Sequence, residues 1–242
     1  MSDAQALPKT ALVTGGGSGI GKAIALRLAA GGYHVAVAGR RPAPLHQTME
    51  EIEAAGGFAI AIQADISDEL QARDLIRSAD QKLGGLGVLV NNAALLAGSG
   101  NFLDLDSEQF RKVIETNLTG TFYCCQEAFR LMKRAGGGAI INIASVAGVQ
   151  AWAGTGAYSA SKHGVMALTG SLADEARAHN IRVSAICPGG VANELVDNSA
   201  QEIEASGKIS PYDVADTVLY LLNLSPNTIV RQIILDRLGA DW

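Results

Sequence analysis

The sequence predicts a doubly wound α/β fold, in which a parallel sheet of about seven strands lies between two layers of helices. Three observations lead there. Short apolar runs rich in Val, Ile and Ala alternate with longer helical stretches from Lys9 to Leu235, and strand–helix alternation of that kind builds a parallel sheet. The first strand runs straight into the glycine cluster Gly15-Gly16-Gly17-Ser18-Gly19-Ile20-Gly21, with a helix behind it. Polar residues stand at the ends of several apolar runs, and parallel sheets bind their ligands beyond those carboxyl ends.

Taken in order, Lys9–Thr14 is an apolar strand and Lys22–Ala30 is helical in composition. Between them the glycines let the backbone turn tightly and approach a ligand, while the free amides at the helix N-terminus favour a phosphate. Gly15, Gly17, Ser18, Gly19, Ile20 and Gly21 are therefore expected to hold a dinucleotide pyrophosphate, as in Rossmann-like folds. Tyr33–Ala38 is the second strand and ends in Gly39-Arg40-Arg41. Dinucleotide folds place a carboxylate there for the free ribose hydroxyls of NAD, whereas an Arg accommodates the 2′-phosphate of NADP. Arg40, with Arg41 beside it, points to NADP, with NAD as the alternative.

The pattern continues with a helix near Pro44–Ala55, strand Phe58–Gln63, helix Glu69–Leu83 and strand Leu86–Asn91. Next come a long helix over Ser107–Arg134, a strand over Ala139–Ala144 and a helix over Ala157–Glu175. Strand Arg182–Cys187, a helix around Pro211–Leu222 and strand Ile229–Leu235 complete it. No linker, repeat or low-complexity segment interrupts the chain, so residues 1–242 are expected to form a single domain. Asp65 follows the third strand, Asn91 and Asn92 the fourth, Ser145 the fifth, and Pro188-Gly189 the sixth. All these ends share one sheet edge and converge on the cofactor crevice.

The chemistry is concentrated in Ser145–Lys162, SVAGVQAWAGTGAYSASK. Tyr158 and Lys162 are four apart on a helix, so they project from one face about a turn apart. An ammonium near a phenol favours the phenolate, and Lys162 is expected to lower Tyr158 from its ordinary value of about 10. Tyr158 becomes a candidate general acid/base, and Ser145 is placed to hold a substrate oxygen beside it. The substrate pocket is expected from 146–156 and 191–208, where Gln150 and Asn193 offer hydrogen bonds. Trp152 serves equally as an apolar wall or as ordinary packing. The short stretch between Pro188 and Pro211 favours a small or medium substrate, and Glu194, Asp197 and Glu202 disfavour an anionic one.

Composition narrows the partners. Hydrophobic residues make up 48% of the chain against 18% charged, and the net charge is −5, which suits extensive buried surface and leaves no basic footprint for nucleic acid. The N-terminal residues MSDAQALPKT lack the apolar stretch of a signal peptide, and no run is long enough to span a membrane. A cytoplasmic location is expected. The four histidines and three cysteines show no ligand spacing, so no catalytic metal is expected and the cysteines read as core. Leu118–Gln126 carries no charge and Ala157–Ala173 only Lys162. Helices that are apolar nearly all round are expected to pack on another copy of the chain.

With these residues assembled, the chain resembles the single-domain short-chain dehydrogenases/reductases. The matching pieces are Thr14-Gly-Gly-Gly-Ser-Gly-Ile-Gly21, Asp65, Asn91-Asn92-Ala93-Ala94, Asn117, Ser145, Tyr158-x3-Lys162 and Pro188-Gly189, in order along most of the chain. The resemblance implies that Tyr158 protonates the substrate oxygen in reduction, or deprotonates the hydroxyl in oxidation, while hydride passes to or from the nicotinamide. It implies that Lys162 also holds the nicotinamide ribose, that Ser145 orients the substrate oxygen and that Asn117 holds a water leading to Lys162. Cofactor contacts are implied for Asp65, Ile66, Asn92, Ala93, Ala94, Tyr158, Lys162, Pro188, Gly189 and Val191, together with a homotetramer or homodimer through the helices bearing Asn117 and Tyr158. Three positions depart from the family pattern: Ala94 where Gly is usual, Gly87 where Asp is frequent, and Asn193 where a Thr often touches the carboxamide. The tail also lacks the Asp-Gly-Gly ending of the acyl-carrier-protein reductases. The implied activity is an NADP(H)-dependent oxidoreduction of a carbonyl/secondary alcohol pair. A non-catalytic dinucleotide sensor is the alternative from another class.

Overall fold

The computed structural model describes residues 8–96, 100–192 and 207–238. Seven strands, β1 (Thr10–Thr14), β2 (His34–Gly39), β3 (Phe58–Gln63), β4 (Val88–Asn91), β5 (Gly138–Ile143), β6 (Ile181–Pro188) and β7 (Gln232–Leu235), form one sheet in the order β3-β2-β1-β4-β5-β6-β7. Every pairing is parallel. The chain leaves β1 toward β2 on one side and enters β4 on the other, so the carboxyl ends of β1 and β4 flank the point where the strand order reverses. A crevice opens at such a point because the crossover helices depart to opposite faces.

Alternation along the strands builds two cores. Leu12, Leu89, Ile140 and Val183 point to the face covered by α3 (Glu69–Leu83), α5 (Gly120–Ala135) and α6 (Gly156–Ala176). Val13, Val35, Val88 and Ile141 point to the face covered by α1 (Gly19–Ala30), α2 (Pro42–Ala54) and α7 (Pro211–Asn223). Strands buried on both faces must be apolar throughout, which is why their period of two is invisible in the sequence. The helix starts carry their own signals. Asp68 accepts from the Gln71 amide at the start of α3, and Ser210 and Asp213 form a reciprocal capping box at the start of α7.

The structure corrects several boundaries. β4 begins at Val88 rather than Leu86 and β7 at Gln232 rather than Ile229. Before β4, Gly87 donates its amide to Thr10 Oγ1 at 2.9 Å, and a Cβ there would collide with the Pro8 carbonyl. The absence of Asp at this position thus has a steric reason in this chain. The helix expected over Ser107–Arg134 is interrupted. It comprises α4 (Ser107–Ile114), a π turn over Glu115–Thr119 and then α5. In the π turn the Gly120 amide reaches back to the Glu115 carbonyl, one residue further than in an α-helix. Gly120 lies so close to the β3–α3 turn that a Cβ on it would stand 2.6 Å from the Ile66 carbonyl.

The three cysteines are buried as expected. Among the described residues no helix is long and apolar enough to cross a membrane, and no three His, Cys, Asp or Glu side chains gather as metal ligands would.

Candidate active site

The site begins where β1 ends. Thr14 Oγ1 accepts the amides of Asn92 at 3.0 Å and Ala93 at 3.1 Å, while Asn92 Nδ2 returns a bond to the Thr14 carbonyl at 3.0 Å. These bonds stitch the ends of β1 and β4 together across the switch point. Gly15 follows with φ +67°, a left-handed conformation that disfavours a side chain, and a Cβ on Gly21 would collide with the Gly15 carbonyl. The loop therefore folds tightly onto the first turn of α1. Ser18, the residue before that helix, makes no side-chain cap and the first turn holds no acid, so the leading amides are free for an anion.

An open cleft runs from this loop, lined among others by Gly15, Gly17, Ser18, Arg40, Arg41 and Leu95. Ala93 and Ala94 also line it, so alanine in place of the usual glycine leaves the cleft open. The Arg40 backbone is held from the neighbouring strand, where Gln63 Nε2 donates to its carbonyl at 3.0 Å. Asp65 and Ile20, expected at the cofactor, also have partners within the protein. Ile66 lines the cleft, but the Asp65 carboxylate is engaged by the Ser67 amide at 3.0 Å and hydroxyl at 2.7 Å, closing the turn after β3. Ile20 packs on the core beneath α1. Pro188, Gly189 and Val191 sit at the end of β6, where the Gly189 amide bonds Leu235 at 2.8 Å and Val191 bridges to Ile209.

Beyond β5, Ser145 opens a short turn over 146–148. Its Oγ accepts the Ala147 amide at 3.1 Å and lies 3.5 Å from the Pro188 carbonyl to which it donates. The Ser145 hydroxyl also lies near enough to the Tyr158 phenol to act on its ionisation. Lys162 is 3% exposed. Its ammonium donates to the Ile143 carbonyl at 2.8 Å and lies 5.7 Å from the centre of the Tyr158 ring. The expected trio is thus brought together, joined by Cys187, which packs under Lys162 and Ser145 and contacts Met166 Sδ at 3.4 Å.

The electrostatics differ from expectation. Burial raises the Tyr158 phenol above its ordinary value, and the nearby Ser145 hydroxyl, not Lys162, is what offsets it in part. The cause is geometric. A spacing of four brings the two side chains together, but the ammonium is drawn to a carbonyl of β5 rather than to the phenolic oxygen. Burial acts on Lys162 as well, lowering it to about 8 because an ammonium taken from water favours its neutral form.

Asn117, in the π turn, is 1% exposed. Its Oδ1 accepts the Leu95 amide at 2.7 Å, and Nδ2 donates to the Leu95 carbonyl and to Ser161 Oγ, both at 3.0 Å. Of the expected substrate residues, Gln150 is exposed and Trp152 half-buried. Trp152 is bracketed by Thr155, whose Oγ1 bonds its carbonyl at 2.8 Å. Asn193 lies outside the described residues. Sequence reasoning missed Thr14 as the strap between strand ends, Gln63 behind Arg40, and Ser161. Only Ser161 carried a local signal, a small polar residue on the helix face of Tyr158.

A family model described as short chain dehydrogenase matches residues 9–204. A 3beta-hydroxysteroid dehydrogenase of Mediterraneibacter gnavus is 37% identical over 81% of this chain and 71% of its own length. The 3-oxoacyl-[acyl-carrier-protein] reductase FabG of Staphylococcus aureus is 36% identical over 94% of this chain and 96% of its own. Among solved structures, an actinorhodin polyketide ketoreductase with NADPH superposes with a TM-score of 0.85 at 33% identity, covering 95% of each chain. The chain belongs to the short-chain dehydrogenases/reductases and is an oxidoreductase of that family.

Proposed function

We propose that this protein is an NADP(H)-dependent oxidoreductase for a small or medium carbonyl/secondary alcohol pair, acting from a single domain with Tyr158 as general acid/base. The observation that carries this reading is the juxtaposition of the Tyr158 phenol, with the Ser145 hydroxyl nearby, and the buried Lys162 ammonium 5.7 Å from its ring centre. The dinucleotide cleft supplies the other half of the reading. Its shape and charge fit the cofactor. A Cβ on Gly17 would stand 3.0 Å from the Pro44 Cβ and narrow the gap between the glycine loop and α2, and two guanidinium groups line that same end. Arg40, Arg41 and Ser18 would hold the 2′-phosphate end, the loop amides the pyrophosphate, and Lys162 the nicotinamide ribose. Asn92, Ala93, Ala94, Pro188, Gly189 and Val191 would complete the walls.

When bound, the nicotinamide gives a hydride to the carbonyl carbon or takes one from the alcohol carbon. The remaining work falls to this chain. Tyr158 gives its proton to the substrate oxygen in reduction, and Ser145 orients that oxygen with its hydroxyl. A phenol raised by burial is protonated at neutral pH, which suits donation. Oxidation requires a lower phenol, and the cation within reach is Lys162. The side-chain groups of Asn117 are spent on Leu95 and Ser161. Its water-holding role therefore rests on its backbone carbonyl, which accepts Thr121 Oγ1 at 2.7 Å and has a second lone pair. The names of the relatives support the carbonyl/alcohol class. Phe110 and Phe122 remain 38% exposed on α4 and α5, which supports a homotetramer or homodimer through these helices.

Arg40→Asp tests the cofactor. It is expected to weaken NADPH binding more than tenfold, in line with loss of a charge-assisted phosphate contact, while NADH binding does not fall. An equal loss of both in a fluorescence titration rejects the 2′-phosphate role.

A further inference from the structure

Ser161 lies between two parts of the site that the mechanism needs in register. It is fully buried. Its hydroxyl donates to the Tyr158 carbonyl at 2.7 Å and accepts from Asn117 Nδ2 at 3.0 Å. Asn117 in turn grips both backbone groups of Leu95, and Leu95 lines the cofactor cleft. A hydroxyl has one proton to give, and here it is given to Tyr158 while an acceptor lone pair takes the Asn117 proton. Asn117 likewise has no side-chain N–H to spare. The result is an unbroken chain of bonds from the cleft wall, through the π turn, to the turn of α6 that carries the phenol.

We infer that Ser161 is a positioning residue, fixing the Tyr158 turn at a set distance from the cofactor wall so that the phenol meets Ser145. This rests on the acid/base role proposed for Tyr158. Two features argue against simple helix-interior back-bonding by a serine. The hydroxyl is engaged on both sides, and its second partner stands on a π turn, a distortion that recurs at functional sites. Each bond alone contributes modestly in water-accessible settings. Inside a dry site, losing the hydroxyl leaves the Asn117 amide without its acceptor and the Tyr158 carbonyl without its side-chain donor, and the turn is free to shift.

The test is Ser161→Ala in the full-length protein labelled with ¹³Cζ-tyrosine. The chain has five tyrosines, and the Tyr158 resonance is assigned by its absence from Tyr158→Phe. The expected result is a Tyr158 resonance displaced or broadened by the substitution while the other tyrosines stay in place. kcat is expected to fall about tenfold on misplacement of the acid, with the Kd for NADPH unchanged. Ser161→Thr, which keeps the hydroxyl, returns the resonance toward the parent. Should the alanine variant fold poorly, Ser161→Cys fills the same space with a weak hydrogen-bonding group and is expected to give the same displacement. A Tyr158 resonance within the parent's linewidth in these variants overturns the inference. Turnover retained by Tyr158→Phe would instead reject the acid/base reading, so the two failures are distinguishable.

Discussion

At the scale of the residue, Lys162 shows how much a site can ask of one side chain. Its ammonium is buried and held by one carbonyl, and burial lowers it from 10.5 to about 8. That gap corresponds to roughly 3 kcal/mol of unfavourable charge burial. The sign follows from linkage. A base whose folded pKa lies below its unfolded one destabilises the fold fully below pH 8, and the cost fades as pH rises from 8 toward 10.5. Lys162→Met is therefore expected to lose activity yet melt a few degrees higher at pH 7, with the advantage shrinking above pH 8. Calorimetry across pH 6–10 checks this, and a variant that melts lower at pH 7 contradicts it. The partnership of Tyr158 and Lys162 was legible from their spacing of four residues. The direction of the Tyr158 shift was not, because the group that captures the ammonium, Ile143, stands 19 residues earlier on another element.

At the scale of the element, the glycine loop and the interrupted helix teach opposite lessons. The loop was legible because its constraint is local. Gly21 faces the Gly15 carbonyl and Asn92 Nδ2 with no room for a Cβ. Gly21→Ala is expected to push the loop off the helix start, cost about 1–3 kcal/mol as overpacking does, and weaken NADPH binding more than tenfold. Thermal melting and fluorescence titration measure the two effects, and unchanged binding contradicts the cradle role. The π turn was illegible because nothing in 107–134 breaks a helical pattern. Its causes are distant: Gly120 abuts the Ile66 backbone, and Asn117 is drawn to Leu95. The early starts expected for β4 and β7 reflect the same limit, since apolar residues flanking a strand read as strand whether or not a neighbour pairs with them.

At the scale of the whole molecule, the parallel sheet of seven strands followed from alternation, since strand–helix–strand units build parallel pairs, whereas the strand order is seen only in the structure. That topology gathers Thr14, Arg40, Asn92 and Ser145 at one edge although they are spread over more than half of the sequence. The residues that complete the substrate side did not become legible in the same way. Asn193 and its neighbours lie outside the described residues, and the acidic loop residues had no strand end to place them. The central claim is that this edge performs hydride chemistry with Tyr158 as the proton carrier. The most direct measurement follows NADPH consumption at 340 nm against a panel of 3-oxo esters, diketones and cyclic ketones, with parent and Tyr158→Phe side by side. The expected result is turnover by the parent, a loss of at least a hundredfold in kcat for the variant, and equal NADPH affinity for both. Turnover by Tyr158→Phe at the parent's rate would contradict it.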